Sequence, residues 1–306
     1  CSCCPACFSG ERPTGCRSPD NHDAILAAMC ELFCLSSRHP TRTTFSLRHF
    51  AAHGASHTRN IDGWGVAFHD GRDARLYKEP EPAGDSPLLG FIERHLHPTH
   101  LLISHLRRAT VGGNSLANTQ PFVRELAGRV HLFAHNGGFH AIEALFARSV
   151  HRFHPVGETD SEKGFCLLLD RLIKIWEGVT PPPLEARLAI VEDFAAEMRP
   201  LGIANFLYSD GEFVFGHGHR RTQADGVVRP PGLWARHRRR HGAHHVVESA
   251  SSGVTIHHEE QPADDAQEVA LLASVPVTGG HWSPLAEGEV VVLSASKLIE
   301  KAQACR

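Results

Sequence analysis

Residues 29–36 read Met-Cys-Glu-Leu-Phe-Cys-Leu-Ser, an apolar run that predicts a short, largely buried first strand over residues 30–36. A methionine directly before a small residue has the pattern of an initiator, and its removal would leave Cys30 with a free α-amine beside its own thiol. Such an amine has a pKa of roughly 7.7–8.0, so near neutral pH it can take the proton from sulfur. Cys30 is therefore a candidate nucleophile. The alternative is an ordinary buried cysteine on a first strand.

The composition is that of a soluble globular protein. The 306 residues are 42% hydrophobic and 21% charged, which are ordinary proportions. The net charge of −3 gives no general attraction to nucleic acid or anionic membranes, and no run approaches the roughly 18 apolar residues of a membrane span. We therefore expect a cytoplasmic protein with no nucleic-acid or membrane partner. The 24 histidines are scattered rather than spaced as ligand sets, so we expect no metal and no cofactor.

The first 29 residues differ from the rest of the chain. They contain five of the nine cysteines, so a disulfide-stapled secreted domain is not expected. They lack the positive start and apolar core of a signal peptide. Their C-x-C-C-x-x-C spacing resembles a zinc motif, but no second pair follows. We expect residues 1–29 to be an over-extended translation start or, alternatively, a pro-segment removed before Cys30, and residues 30–306 to form a single domain.

A tryptophan flanked by glycines follows, in Asp-Gly-Trp-Gly at residues 62–65. The segment opens a turn before a predicted strand over residues 65–68, which we expect to pair antiparallel with the first strand. Its glycines allow close backbone approach, so Trp64 is a candidate binding residue; packing of a core tryptophan fits the pattern equally well.

Two predicted strands deliver polar residues at their ends. The apolar run at residues 101–106 leads into Arg107 and a glycine-ended loop, and the run at residues 130–135 leads into Asn136 and Gly137. Loops that follow strand ends are where binding groups are usually presented. A third candidate, Asp160, lies in the first turn of a predicted helix with a Thr159/Glu162 capping box, where a carboxylate is also favourable for purely structural reasons.

The remaining pattern predicts many antiparallel strands with two helices inserted together in the middle. Helices are expected over residues 45–52, 88–96, 159–177 and 184–198, and further strands over residues 204–208, 213–215, 253–257, 269–275 and 289–293. The basic stretch within residues 217–245 is expected to be a solvated loop, because a nucleic-acid patch would interleave aromatic residues and only Trp234 is present.

The motifs together resemble one family. Met-Cys-Glu-Leu, Asp-Gly-Trp-Gly, His-Leu-Arg-Arg-Ala-Thr at residues 105–110, Ala-His-Asn-Gly at residues 134–137 and Glu-Thr-Asp-Ser-Glu at residues 158–162 occur in the order found in class II glutamine amidotransferases of the N-terminal-nucleophile (Ntn) hydrolase superfamily. The similarity is to the stand-alone branch that lacks a synthase domain. It implies an α+β fold, a four-layer αββα sandwich of two antiparallel sheets.

The resemblance also implies catalytic roles. Cys30 would attack the side-chain carboxamide of glutamine or of another γ-glutamyl compound, with its own α-amine as the base. Asn136 and the Gly137 backbone N–H would form the oxyanion hole. The loss of one such donor typically costs about 10²–10³ in rate.

Substrate-binding roles follow in the same way. Arg107 would hold the substrate α-carboxylate by a two-pronged contact and Asp160 its α-ammonium, with Thr110 and Trp64 as further binding residues. Where synthase-linked relatives follow the arginine with Trp-Ala-Thr-His-Gly, this chain has Arg-Ala-Thr-Val-Gly at residues 108–112. Closure of this loop over glutamine in the same way is therefore not implied.

Three functions remain open from the sequence. The first is hydrolysis of glutamine or a γ-glutamyl amide through a thioester on Cys30. The second is an ammonia-supplying subunit that works when docked to a separate synthase. The third is a non-catalytic γ-glutamyl-binding protein in which residues 1–29 block the Cys30 amine.

Overall fold

Antiparallel strands make up most of the structure, a computed structural model that describes residues 30–45, 62–83, 86–95, 97–108, 112–240, 247–249, 254–258, 267–277, 279–294 and 297–299. In chain order the strands are β1 Glu31–Phe45, β2 Trp64–Asp70, β3 Asp73–Glu79, β4 Thr99–Leu106, β5 Phe122–Leu126, β6 Arg129–Phe139, β7 Gly202–Ser209, β8 Phe213–His217, β9 Arg221–Thr222, β10 Val228–Arg229, β11 Trp234–Arg240, β12 Val247–Ser249, β13 Val254–His258, β14 Gln267–Ala273, β15 Ser283–Pro284, β16 Val290–Ser294 and β17 Lys297–Ile299. The helices are α1 Pro87–Arg94, α2 Ile142–Phe146, α3 Asp160–Leu172 and α4 Leu184–Met198, with 3₁₀ turns at Leu116–Asn118 and Arg199–Leu201.

The larger sheet has β1 at its centre. Its order is β15-β11-β14-β1-β4-β2-β3, and β13, which carries β12 on its other side, pairs with the far end of β1. Residues 31–37 are buried without a break because β14 and β4 occupy both edges of β1 and apolar layers cover both faces. Cys30, directly before β1, is thereby held at one end of the central strand.

The smaller sheet, with order β17-β16-β8-β7-β6-β5, stacks on the larger one. Leu32 of β1 packs with Ala134 of β6 and Leu207 of β7 in the apolar layer between the sheets. Side chains alternate along a strand, so Phe33 faces the other way, toward the outer face of the larger sheet. The layer between the sheets therefore fixes the distance between the ends of β1 and β6, where Cys30 and Asn136 lie.

Helices cover the two outer faces. On the smaller sheet, Leu168 of α3 and Phe194 of α4 pack in the same cluster as Phe133 and Phe206. On the larger sheet, Leu89 and Ile92 of the short helix α1 join the cluster that contains Phe33. The layers follow the order helix, sheet, sheet, helix, which confirms the predicted four-layer αββα sandwich of two antiparallel sheets.

Most predicted elements are present, and two predictions are wrong. The first strand does not pair with residues 65–68, because β4 lies between β1 and β2. The basic segment is not a loop throughout, because Trp234–Arg240 forms β11 and pairs with β14; the buried side chains of Leu233 and Ala235 anchor it. The predicted helix over residues 45–52 touches the described residues only at Phe45, the last residue of β1, and residues 46–52 and 1–29 lie outside them.

Candidate active site

The thiol of Cys30 is held against the backbone of Arg108. The Arg108 N–H donates to Sγ over 3.1 Å, and Sγ donates to the Arg108 carbonyl oxygen over 3.3 Å. These contacts arise because β1 and β4 are paired neighbours, so Arg107 and Arg108, which follow β4, pass beside the residue that precedes β1. Two hydrogen bonds to one residue thus fix the direction of the sulfur.

Cys30 does not ionise by itself near neutral pH. Burial raises the pKa of its thiol to about 11; the N–H of Arg108 and the charge of Arg107 oppose this shift, and the charge of Glu31 adds to it. A thiol with such a pKa stays protonated at pH 7. Nucleophilic attack by this sulfur therefore requires a base that removes the proton as the new bond forms.

The guanidinium of Arg107 lies at the end of β4 and is only 3% exposed. Nη1 donates to the Asp62 carbonyl oxygen and to Asn114 Oδ1 over 3.3 and 3.0 Å, and Nη2 donates to the carbonyl oxygens of Gly112 and Gly113 over 3.2 and 3.3 Å. The loop after Gly112 thus wraps around a buried cation. A carboxylate that binds Arg107 would replace some of these neutral acceptors with a charged one, which makes stronger hydrogen bonds.

Two residues at the end of β6 face the Cys30 side of the sandwich. Asn136 Nδ2 donates to the Cys30 carbonyl oxygen over 2.5 Å. Gly137 has φ of 153°, and a Cβ at this position would lie 1.8 Å from the Ile203 carbonyl oxygen. Only glycine fits there, because β7 packs its backbone directly against this point.

Asp160 is fixed by both its helix and the neighbouring strand. Thr159 caps α3 by accepting the Glu162 N–H over 3.2 Å, which confirms that half of the predicted capping box. Asp160 Oδ2 accepts the Phe139 N–H over 2.6 Å, so the carboxylate joins the start of α3 to the end of β6. One oxygen of Asp160 therefore has a structural partner.

One pocket brings these residues together. Its lining comprises Cys30, Arg107, Arg108, Gln120, His135, Gly137, Thr159, Asp160 and Ser161. Four of the residues predicted from the sequence thus line a single cavity, and Asn136 contacts the Cys30 backbone beside it. The residues on its walls include a thiol, a cation, a carboxylate and a glycine.

The structure separates Trp64 from this pocket. Trp64 is fully buried in the cluster on the outer face of the larger sheet, and its Nε1 donates to Glu79 Oε2 over 3.2 Å. The backbone beside Trp64 is closely approached, as its flanking glycines led us to expect, but by another segment of this chain and not by the pocket. A Cβ on Gly65 would lie 2.2 Å from the Gln120 carbonyl oxygen. Thr110 lies outside the described residues.

His135 lines the pocket but has no ring nitrogen available as a base. Its Nε2 lies 3.0 Å from the Ile203 carbonyl oxygen, which only accepts, so Nε2 carries the hydrogen. Its Nδ1 then accepts the Ser161 hydroxyl hydrogen over 2.8 Å. Burial lowers the pKa of His135, with the charge of Asp160 opposing, so the ring is neutral.

Five further residues line the pocket that were not predicted from the sequence as site residues: Arg108, Gln120, His135, Thr159 and Ser161. Gln120 pairs with the backbone of His135 on β6, accepting its N–H over 2.6 Å and donating to its carbonyl oxygen over 3.3 Å. For four of these five residues the available signal was position, because each stands next to a predicted site residue; Gln120 does not. No group of three or more potential metal ligands occurs among the described residues. No helix in the described ranges is both long and apolar enough to cross a membrane.

Comparison with known proteins gives one consistent family. The sequence model of the class-II glutamine amidotransferases matches residues 29–305. YafJ of Escherichia coli K12, a predicted glutamine amidotransferase, is 32% identical over 262 residues, which are 85% of this chain and 96% of YafJ. A predicted glutamine amidotransferase of Haemophilus influenzae is 31% identical over 193 residues, 63% of this chain and 64% of that protein.

Solved structures share the fold. The crystal structure of a predicted glutamine amidotransferase from Pseudomonas aeruginosa PA01 has a TM-score of 0.62 at 30% identity and covers 89% of this chain and all of that one. The glutamine phosphoribosylpyrophosphate amidotransferase of B. subtilis has a TM-score of 0.54 at 14% identity, covering 88% of this chain and 48% of that one. At that identity the likeness concerns the fold alone.

Proposed function

The chain belongs to the class-II glutamine amidotransferases, and from that premise we propose that it hydrolyses the side-chain amide of glutamine or of a γ-glutamyl compound through a thioester on Cys30. The observation that carries the proposal is the shared pocket. Cys30, Arg107 and Asp160 line it together, although the first two stand 77 positions apart in the sequence and the third lies on a helix of another layer. Their chemistry matches a γ-glutamyl group, which has one carboxylate, one ammonium and one reactive carbonyl.

The base in this proposal is the α-amine of Cys30. The thiol needs one, because its pKa is raised to about 11, and the neutral ring of His135 has both nitrogens occupied. The backbone nitrogen of Cys30 lies close enough to its own sulfur to lower the thiol pKa. An α-amine at the position of that nitrogen can therefore take the thiol proton as sulfur attacks.

The reaction then runs in two balanced halves. Sulfur bonds to the amide carbon and its proton passes to the α-amine; the carbon–nitrogen bond breaks, and the leaving group takes that proton and departs as ammonia. Water next attacks the thioester carbon as the α-amine takes one of its protons; the carbon–sulfur bond then breaks, the sulfur takes that proton back from the amine, and glutamate leaves. The Gly137 N–H and the Asn136 amide are the proposed donors to the oxyanion that forms in each half.

The charged ends of the substrate set its direction in the pocket. Arg107 would bind the α-carboxylate and Asp160 the α-ammonium, which leaves the amide carbon facing Cys30. Holding the carbonyl beside the sulfur supplies much of the rate, since proximity replaces a bimolecular encounter. Trp64 is left out of this scheme because it is buried in the core.

The amine requirement leads directly to an experiment on the N-terminus. Intact-mass analysis of the full chain gives the first residue of the active form, and we expect activity only where that residue is Cys30. A fully active protein that retains residues 1–29 would exclude the α-amine as the base. An inactive protein that retains residues 1–29 would favour the binding-protein alternative.

Substitution of the proposed nucleophile tests the reaction itself. Cys30→Ala should abolish release of glutamate from glutamine and from γ-glutamyl amides and leave the thermal midpoint close to that of the parent. Cys34→Ala is the matched control, because Cys34 is a buried thiol four residues further along β1 that does not line the pocket. Glutamate release by the Cys30 variant at the parent rate would rule out a thioester at this residue.

The alternative is an ammonia-supplying subunit that works when docked to a separate synthase. A glutaminase activity that rises many-fold on adding a synthase would select this function over free-standing hydrolysis.

A further inference from the structure

A second polar cluster lies behind Cys30 and consists of Glu31, Asn136, Arg221 and Ser274. The exposed fractions of these residues are 5%, 2%, 3% and 0%, and none of them lines the pocket. Glu31 opens β1 and Ser274 follows β14 in the larger sheet, whereas Asn136 lies on β6 in the smaller sheet and Arg221 opens β9. The cluster therefore joins the two sheets at the residue proposed as nucleophile.

The Asn136 amide has one orientation in this cluster. Its Nδ2 carries two hydrogens and donates to the Cys30 carbonyl oxygen over 2.5 Å and to Ser274 Oγ over 3.2 Å. A backbone carbonyl only accepts, so Nδ2 and not Oδ1 faces Cys30. Both hydrogens of the amide are thus committed.

The Ser274 oxygen accepts with both lone pairs. It accepts the Leu32 N–H over 3.0 Å and the Asn136 hydrogen over 3.2 Å. Ser274 and the buried Glu31 share a third residue, Arg221. Arg221 holds both partners, because Nη2 donates to Glu31 Oε1 over 3.0 Å and Nη1 to the Ser274 carbonyl oxygen over 2.5 Å.

We propose, resting on the proposed function, that Ser274, backed by Glu31 and Arg221, is a positioning residue that holds the Asn136 amide against the Cys30 carbonyl. The direction of donation runs from Asn136 to Ser274, and Arg221 bonds both the Ser274 carbonyl oxygen and the Glu31 side chain, so Ser274 is held in place as the acceptor. When the substrate oxygen becomes negative, Nδ2 can pass one hydrogen from the Cys30 carbonyl to that oxygen while Ser274 retains the other. The amide is therefore already oriented when the transition state forms, and it does not have to be ordered during the reaction.

Ser274→Ala tests this role, with Ser104→Ala as the matched control. Ser104 is also fully buried in the larger sheet and donates one hydrogen bond to a backbone carbonyl, but it lies in the layer away from the cluster. In Ser274→Ala we expect kcat for glutamine to fall about 10-fold with KM within twofold, less than the roughly 10²–10³-fold loss from removing an oxyanion donor outright. Ser104→Ala should leave both constants near those of the parent.

A readout that needs no activity runs beside the kinetics, on the isotope-labelled full chain. The side-chain hydrogens of Asn136 should exchange with solvent slowly in the parent and in Ser104→Ala, and at least tenfold faster in Ser274→Ala. Equal exchange in the two serine variants would overturn the inference. If Ser274→Ala does not fold, Glu31→Gln replaces it, with faster Asn136 exchange expected and parent-like exchange contradicting it. A parent that releases no glutamate defeats the proposed function, while the exchange rates still decide the orientation of Asn136.

Discussion

Arg107 combines a structural and a proposed binding task in one side chain. Its guanidinium bonds to oxygen atoms of Asp62, Gly112, Gly113 and Asn114, and it also lines the pocket. A flat fork of donors can satisfy both the loop and a carboxylate, which a single ammonium cannot.

Arg107→Lys separates charge from shape at this residue. The variant keeps the positive charge but loses the fork, so we expect KM for glutamine to rise about 10-fold with kcat within a few-fold, since the lost contact serves ground state and transition state alike. Steady-state kinetics measure the two constants, with Arg75→Lys on the exposed part of β3 as control. A fall in kcat at constant KM would show that Arg107 acts on the chemistry instead.

Residue types and their local setting were enough to predict much of the site. Arg107 and Asn136 stand at strand ends, Gly137 follows directly, and Thr159 with Glu162 signals the helix start beside Asp160. The pocket residues His135 and Ser161 could not be singled out, because their bond joins β6 to α3 across 26 residues and depends on how those elements pack. Ser274 carries no local signal, because its partner Leu32 is 242 residues away.

At the scale of elements, the start of α3 is tied to two other parts of the site. Asp160 accepts the backbone N–H of Phe139 at the end of β6. Asn118 accepts the Glu158 N–H over 2.8 Å and donates to the Gly113 carbonyl oxygen over 3.0 Å, so the loop around Arg107 is linked to the segment before the helix. The two proposed head-group contacts are therefore held at a fixed spacing by a third residue.

Asp160→Asn tests the proposed charge contact without removing the helix–strand tie. The amide oxygen of the variant can still accept the Phe139 N–H, so we expect an unchanged thermal midpoint. The lost charge should raise KM for glutamine about 10–100-fold, the equivalent of roughly 1.5–3 kcal/mol for a hydrogen bond to a charged group. Glu158→Gln, two residues earlier and exposed, should leave KM unchanged. A lower melting temperature with an unaltered KM would assign Asp160 to structure alone.

Pairing between elements explains the wrong predictions about the sheets. Residues 65–68 do form part of a strand, β2, but β4 already occupies the edge of β1 that they were expected to fill. Arginines dominate Trp234–Arg240, yet β14 offers it a full register of backbone partners and the carboxylate of Glu268 lies 3.4 Å from Arg239. Neither circumstance is visible in a local window of sequence.

Over the whole molecule, buried neutral histidines make the fold sensitive to acid. Burial lowers the pKa of His69 and His131 to about 4 and that of His105 and His217 to about 3. The unfolded chain binds these protons at a pKa near 6.5, so it takes up more protons than the folded chain as pH falls below that value. The stability that depends on these neutral rings is therefore fully present above about pH 7 and is lost progressively as the pH falls toward 4.

Urea unfolding between pH 7.5 and pH 5 measures this effect. A ring whose pKa is 6.5 in the unfolded chain and about 4 in the folded one lowers the unfolding free energy at pH 5 by about 2 kcal/mol. Several such rings together should therefore remove a large part of the total stability. His131→Gln should reduce by about one the number of protons taken up on unfolding, which is read from the slope of the unfolding free energy against pH. A free energy that stays flat down to pH 5 would contradict the neutral state of these rings.

The central strand of the larger sheet acquires its two neighbours at very different moments of synthesis. β4 follows β1 closely, but β14 and Ser274 leave the ribosome more than two hundred residues later, and Leu32 has no hydroxyl to bind until they do. A nascent chain therefore carries the Cys30 sulfur long before its surroundings exist, and non-local pairing of this kind is slow to form. Synthesis of β14 and Ser274, rather than emergence of the first strand, is therefore the event that completes the surroundings of Cys30.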